Sequence, residues 1–145
     1  MTTLEFTLRL LTALFSGMLI GFERQWHHKS AGLRTNTLVA TGAALYVLLS
    51  INLTQEQGDV TRIIGQVVTG IGFIGAGIIF KEGISVYGLT TAATVWCSSA
   101  IGSLAAAGHF IETLIGVVAI ISVNIMLIPL DKWLSAKNGG LSGKP

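Results

Sequence analysis

Charge is what this sequence has least of. Only 11% of its 145 residues are Asp, Glu, Lys or Arg, against about 25% in soluble domains, while 51% are hydrophobic and the mean hydropathy is +0.71. That shortage excludes a water-soluble globular domain and leaves an integral membrane protein. Basic clusters are missing too. The net charge is only +2, and no Lys/Arg run is interleaved with aromatics, which excludes nucleic acid as a partner. The single cysteine, Cys97, falls in an apolar stretch, so no internal disulfide and no CxxC or Cys/His metal spacing exists; it reads as a packing residue. His27 and His28 are adjacent rather than four apart and His109 stands alone, so no paired metal site on one helix face is formed, and metal binding is left unknown. The carboxylates are scattered over Glu5, Glu23, Glu56, Asp59, Glu82, Glu112 and Asp131 with no Ser/His/Asp grouping. Neither an enzyme nor a cofactor is expected. The start, Met-Thr-Thr-Leu-Glu, lacks the positive region and cleavage pattern of a secretory signal, so the first helix is expected to be retained.

What is abundant is apolar sequence in lengths that cross a bilayer, roughly 18 to 20 residues each. Five such segments read as Leu4–Phe22, Asn36–Leu53, Ile63–Phe80, Leu89–Ala107 and Phe110–Leu130, joined by short loops. The expected fold is all-α, a polytopic five-helix bundle over residues 1–134, followed by a Gly/Ser/Lys-rich tail, 135–145, expected to be disordered. Arg24, Lys29, Arg34, Lys81, Lys132, Lys137 and Lys144 fall on one side, Arg9 and Arg62 on the other. The positive side is cytoplasmic, which puts the N-terminus outside and the C-terminus in the cytoplasm. Sliding the chain by 56 positions aligns Gly21 with Gly77, Gly32 with Gly88, Leu33 with Leu89 and Thr35 with Thr91. Duplication and chance among Gly/Ala-rich helices account for this echo equally well.

The third segment holds five glycines and no charge between Gly65 and Phe80. In lipid the backbone must bond to itself, and small residues let helices approach closely. At about 100° per residue, Ile63, Val67, Ile71, Ile74 and Ile78 form a bulky arc expected to face lipid. Gly65, Thr69, Gly72, Gly75 and Ala76 form a second face, and Gly70 and Gly77 a third. A helix small on two sides is expected at the centre of the bundle. Gly88, Ser99 and Gly102 are further expected packing positions, Ala92, Ser99, Gly102 and Ala106 giving helix 4 a seam for helix 3. Gln66 and Asn124 are intramembrane polar residues suited to interhelical bonds, and a homodimer within the lipid bilayer is expected because five short helices bury little.

Polar residues gather at the presumed cytoplasmic ends of helices 1, 2 and 4. Thr90 and Thr91 are expected to cap helix 4, and Arg34-Thr35-Asn36-Thr37 opens helix 2 in a similar way. Glu23, Arg24, Arg34, Thr35, Thr90 and Thr91 form the candidate site, with Arg34 pairing Glu23 and two positive helix ends favouring a carboxylate or phosphate. At the other end Arg9, four residues after Glu5, is placed for a helix ion pair and is expected to reach outward.

The runs Gly21-Phe22-Glu23-Arg24-Gln25, Ala31-Gly32-Leu33-Arg34-Thr35, Gly70-Ile71-Gly72-Phe73-Ile74-Gly75-Ala76-Gly77 and Gly88-Leu89-Thr90-Thr91-Ala92-Ala93 with Trp96 resemble the MgtC/SapB family across nearly all of the membrane region. The resemblance implies a multi-pass protein of the bacterial inner membrane. It further implies a link to magnesium homeostasis, low-magnesium growth, virulence and modulation of the membrane ATP synthase as a partner. The better-known members carry a cytoplasmic C-terminal domain resembling an ACT domain, whereas this chain stops soon after helix 5. A non-enzymatic regulator is the first reading. A transporter or channel for Mg²⁺, another small ion or phosphate is the second.

Overall fold

The computed structural model describes residues 1–54, 59–83 and 85–139. Five helices, α1 (Thr3–Trp26), α2 (Leu33–Thr54), α3 (Val60–Ile78), α4 (Leu89–Ala107) and α5 (Phe110–Gly139), are long and apolar enough to cross a membrane. α1 begins with a reciprocal cap: the Glu5 amide donates to Thr2 Oγ1 at 3.2 Å and the Thr2 amide to Glu5 Oε2 at 2.8 Å. The connection before α4, expected as a plain loop, contains a small antiparallel hairpin. Its strands are β1 (Phe80–Glu82) and β2 (Ser85–Tyr87), with Phe80 stacked on Tyr87 at 5.4 Å.

The centre of the bundle is α4, not α3. α4 packs against all four other helices, and 56% of its span is buried against 17% for α3. The reason lies in backbone approach. A Cβ on Gly102 would fall on the Ala40 carbonyl oxygen, while one on Gly17 would stand 2.8 Å from the Asn36 carbonyl and 2.9 Å from Ala40 Cβ. α2 is therefore clamped between a glycine of α1 and a glycine of α4. Gly21, whose Cβ would meet Leu33 Cα at 2.7 Å, extends the α1–α2 contact to the turn.

α3 uses its glycines differently from the expectation. Gly65, Gly70, Gly72 and Gly77 have open space where a Cβ would be, and only Gly75 meets a neighbour, Ala92 Cβ at 3.8 Å. The bulky arc is turned partly inward instead. Ile71 is buried, and Ile63, Val67, Ile71 and Ile74 line a groove of about 620 Å³ shared with Leu38, Val39, Ala43 and Tyr46 of α2. Gln66 lines the same groove and is exposed, so it is not a buried interhelical residue. The α4 seam is shared: Gly102 meets α2, Ala106 joins Ala13 and Ala44, and Ala92 meets Gly75 of α3.

The closest contacts fix the directions of the helices. Gly21 meets Leu33, Gly102 meets Ala40 and Gly88 meets Ile78, so the last turns of α1 and α3 and the first turns of α2 and α4 share one end, the Arg24 end. Near the opposite end, Ala13, Ala44, Val47, Leu48, Ala105 and Ala106 form one apolar core. Ile20, Ile101 and Val117 form a second between α1, α4 and α5. Arg9 makes no ion pair with Glu5 among the described residues; its Nη1 donates to the Ala106 carbonyl at 2.9 Å, tying α1 to the last turn of α4. α5 runs to Gly139, past the expected start of a disordered tail at Ser135. Its 30 residues make about 45 Å of helix, longer than a hydrocarbon core of about 30 Å. Lys137 lies 5.3 Å over the Trp133 ring one turn back, a contact at helical spacing that favours the helix in this outer stretch. The rest of that tail, 140–145, lies outside the described residues.

A buried polar cluster at the Arg24 end

Glu23 and Arg24 end α1 side by side, and successive helical residues point about 100° apart. One therefore reaches α5 and the other α4. Asn124 Nδ2 donates to Glu23 Oε2 at 3.0 Å, and Arg24 Nη2 donates to Thr91 Oγ1 at 2.8 Å. Both charged residues are buried, Glu23 at 7% exposure and Arg24 at 2%. His27, one turn after Glu23, brings Nδ1 to 3.2 Å from Glu23 Oε1.

A third bridge joins α2 to α4. Ser98 Oγ donates to Asn36 Oδ1 at 2.8 Å, while Asn36 Nδ2 donates to the Ala31 carbonyl at 2.5 Å and the Gly32 carbonyl at 3.0 Å. This amide orientation gives oxygen a donor and nitrogen two acceptors, so every partner is chemically matched. The turn between α1 and α2 holds two non-glycine residues with left-handed backbone, His28 at φ 53° and Ala31 at φ 54°. Such conformations persist where surrounding bonds over-determine them. The Asn36 bond to Ala31 and the Lys29 amide bond to the Arg24 carbonyl, 2.9 Å, do so here. Thr94 Oγ1 donates to its own helix at Thr90 O, 2.9 Å, and lies 3.5 Å from Asn124 Oδ1.

Several expected roles change. Thr90 and Thr91 do not cap α4: the N-cap is Gly88 at φ 87°, with no side-chain cap, and a Cβ there would strike the Ile78 carbonyl. Thr91 is instead the acceptor for Arg24, and Thr90 is exposed. Arg34 is exposed and forms no ion pair with Glu23 among the described residues. The turn between α1 and α2 leaves Arg34 exposed, while Asn124 donates to the Glu23 carboxylate and His27 Nδ1 lies 3.2 Å from that carboxylate and 3.0 Å from the Glu23 main-chain carbonyl. Thr35 is half-buried at the start of α2. Asn124 bonds between α5 and α1 through Glu23. Ser30, Asn36, Thr94 and Ser98 were absent from the expected site. Thr91, Thr94 and Ser98 follow helical spacing along one face of an apolar helix, and that polar stripe was the available signal. Among the described residues no group of three or more His, Cys, Asp or Glu could hold a metal ion.

The sequence matches the MgtC family over residues 10–133. The chain belongs to this family. Similar proteins include the protein MgtC of Brucella abortus (strain 2308), 55% identical over 122 residues that make up 84% of this chain and 51% of the relative. The protein MgtC of Salmonella typhimurium (strain LT2) is 50% identical over 127 residues, 88% of this chain and 54% of the relative. A Synechocystis protein described as uncharacterized protein slr0014 is 50% identical over 131 residues, 90% of this chain and 56% of the relative. This MgtC-family chain thus spans about half the length of the curated relatives it matches. No solved structure matches it. The matched region includes all of the polar cluster and both glycine clamps on α2.

Proposed function

We propose that this MgtC-family chain is a non-enzymatic regulator in the bacterial inner membrane, tied to magnesium homeostasis, growth at low magnesium and virulence. It acts on a membrane-protein partner such as the membrane ATP synthase. The Arg24 end faces the cytoplasm and the N-terminus lies outside, in keeping with the seven-to-two distribution of Lys and Arg. The observation that carries the reading is where the charged and amide side chains stop. Glu23, Arg24, Asn36, Thr91, Ser98 and Asn124 interlock at one end, whereas toward the Arg9 end the interior is Ala13, Ala44, Val47, Leu48, Ala105 and Ala106. The buried polar side chains of that interior, among the described residues, are the hydroxyls of Ser16, Ser50 and Thr113. An ion crossing the chain needs polar groups to replace its hydration shell along the way; a site that receives a partner or ligand from one side does not. The exposed face of Gly65, Thr69, Gly72 and Ala76 on α3 suits self-association into a homodimer, since small residues at this spacing allow close helix crossing.

Purified protein in liposomes tests the choice between regulator and transporter. The regulator reading expects no protein-dependent flux of Mg²⁺ or phosphate, and a changed ATP-driven proton-pumping rate when the protein is co-reconstituted with ATP synthase. Saturable flux of either ion, with pumping unchanged, supports the transporter instead.

A further inference from the structure

We infer that the Nε–Nη2 edge of the Arg24 guanidinium, with the Thr91 hydroxyl at the start of α4 and the Ser30 hydroxyl of the α1–α2 turn, is a binding site for a phosphate group. The inference rests on the preceding reading only in taking the Arg24 end as the working end. Its starting point is an incomplete partner set. Arg24 is 2% exposed, yet its Nε has no hydrogen-bond partner and, among the described residues, no carboxylate lies within ion-pair distance of it. The Glu23 carboxylate acts on Arg24 only at longer range than an ion pair, and a buried donor left without an acceptor calls for an explanation. Glu23, the adjacent carboxylate, accepts from Asn124 Nδ2 at 3.0 Å, with His27 Nδ1 3.2 Å from its other oxygen.

The free donor is in a useful position. Nε–H and Nη2–H lie on the same edge of the planar guanidinium, spaced to hold two oxygens of one oxyanion. Nη2 is presently on Thr91 Oγ1 at 2.8 Å, and that hydroxyl lies 3.3 Å from Ser30 Oγ, on an exposed residue. The two hydroxyls therefore lead from solvent to the guanidinium edge, and each can turn its proton toward an incoming oxygen. Thr91 is the third residue of a 19-residue helix whose N-cap, Gly88, offers no side-chain cap, so the helix end adds positive potential on the same side. Two coplanar guanidinium donors and two hydroxyls approaching from a different direction suit a tetrahedral group better than a planar carboxylate. The phosphate comes either from a phospholipid headgroup at the bilayer surface or from the soluble phosphate pool.

The test follows the Nε–H resonance of Arg24 by NMR in protein specifically labelled at arginine, assigned through Arg24→Lys. In delipidated protein, inorganic phosphate is expected to move this resonance saturably while acetate at equal concentration does not. The Thr91→Val protein, which keeps side-chain shape, is expected to bind phosphate about tenfold more weakly, because a hydrogen bond to a charged group is lost. Arg34→Ala is expected to bind as the parent does. Nanodiscs separate the sources. A resonance already shifted in phosphatidylglycerol discs and indifferent to added phosphate identifies a headgroup, whereas one that still responds to added phosphate identifies a soluble ligand. A response to acetate but not phosphate, or no response to either phosphate source in wild-type protein, overturns the inference. That failure leaves the flux and proton-pumping results untouched, and those results in turn do not bear on phosphate binding.

Discussion

Substituting alanine for Gly102 adds one methyl group at the place where α4 touches α2, and the structure says what that methyl meets. It would stand well inside van der Waals contact of the Ala40 carbonyl oxygen, a backbone atom inside a helix, and Ala40 itself is fully buried against Gly17 on the other side. No side chain can rotate to make room, so α2 or α4 must move as a body. Overpacking of this kind costs about 1–3 kcal/mol. At about 2–4 °C per kcal/mol for a chain near this size, the transition falls by roughly 2–12 °C. The comparison is Gly77→Ala on α3, outside the Gly65–Thr69–Gly72–Ala76 face, where nothing stands within 4 Å of the new methyl and alanine is the better helix former by up to about 1 kcal/mol in water. Its transition is expected to be unchanged or raised. Thermal unfolding of both variants in one detergent, followed by tryptophan fluorescence and by monodispersity on a sizing column, reads the difference. A Gly77→Ala protein destabilised as much as Gly102→Ala would refute the placement of α4, rather than α3, at the packing centre.

Two further expectations concern the membrane frame. A cysteine placed at Asp59 should react with an impermeant thiol reagent in intact cells and one at Lys29 only after lysis; the reverse pattern would invert the proposed orientation. Asp59 also caps α3, accepting from the Thr61 hydroxyl and from the Thr61 amide at 2.9 Å, and these bonds hold its carboxyl below the usual value. Because the folded value is the lower one, the cap's contribution is complete above the unfolded value of about 3.9 and disappears as pH falls through the folded value. Amide exchange at Thr61 should accelerate over that interval, and Asp59→Asn, which caps without titrating, should remove the pH dependence.

The spans were legible to within a few residues because bilayer length and hydropathy act on each segment separately. α3, however, runs Val60–Ile78 rather than to the expected Phe80, which pairs with Tyr87 in the hairpin. α4 was read at its observed limits, and α5 was read short only where it leaves the bilayer. The packing was not legible, because a glycine states only that a close approach is allowed. Gly102 and Gly72 look alike in sequence, and which of them is used depends on how five helices share their faces. Gly17 and Gly21, which bring α1 onto α2, stand in a segment with only these two glycines, far fewer than the dense run in α3. Glu23, Arg24 and Thr91 were recognisable as polar residues near a helix end. Their partners were not: Glu23 reaches Asn124, 101 positions away, and Arg24 reaches Thr91, 67 away. Local spacing favoured Arg34 for Glu23, but the geometry of the α1–α2 turn directs Arg34 outward.

The pairing at this end is tested most directly by two double-mutant cycles measured as thermal stability in the same detergent. One combines Glu23→Gln with Asn124→Ala, and the other combines Glu23→Gln with Arg34→Ala. Intramembrane hydrogen bonds couple by about 0.6 kcal/mol on average and up to about 1.7 kcal/mol. A charged acceptor places Glu23–Asn124 toward the upper part of that range. The Glu23–Arg34 cycle should close with no coupling beyond error. Coupling between Glu23 and Arg34, with none between Glu23 and Asn124, would contradict the assignment of the Glu23 carboxylate to α5.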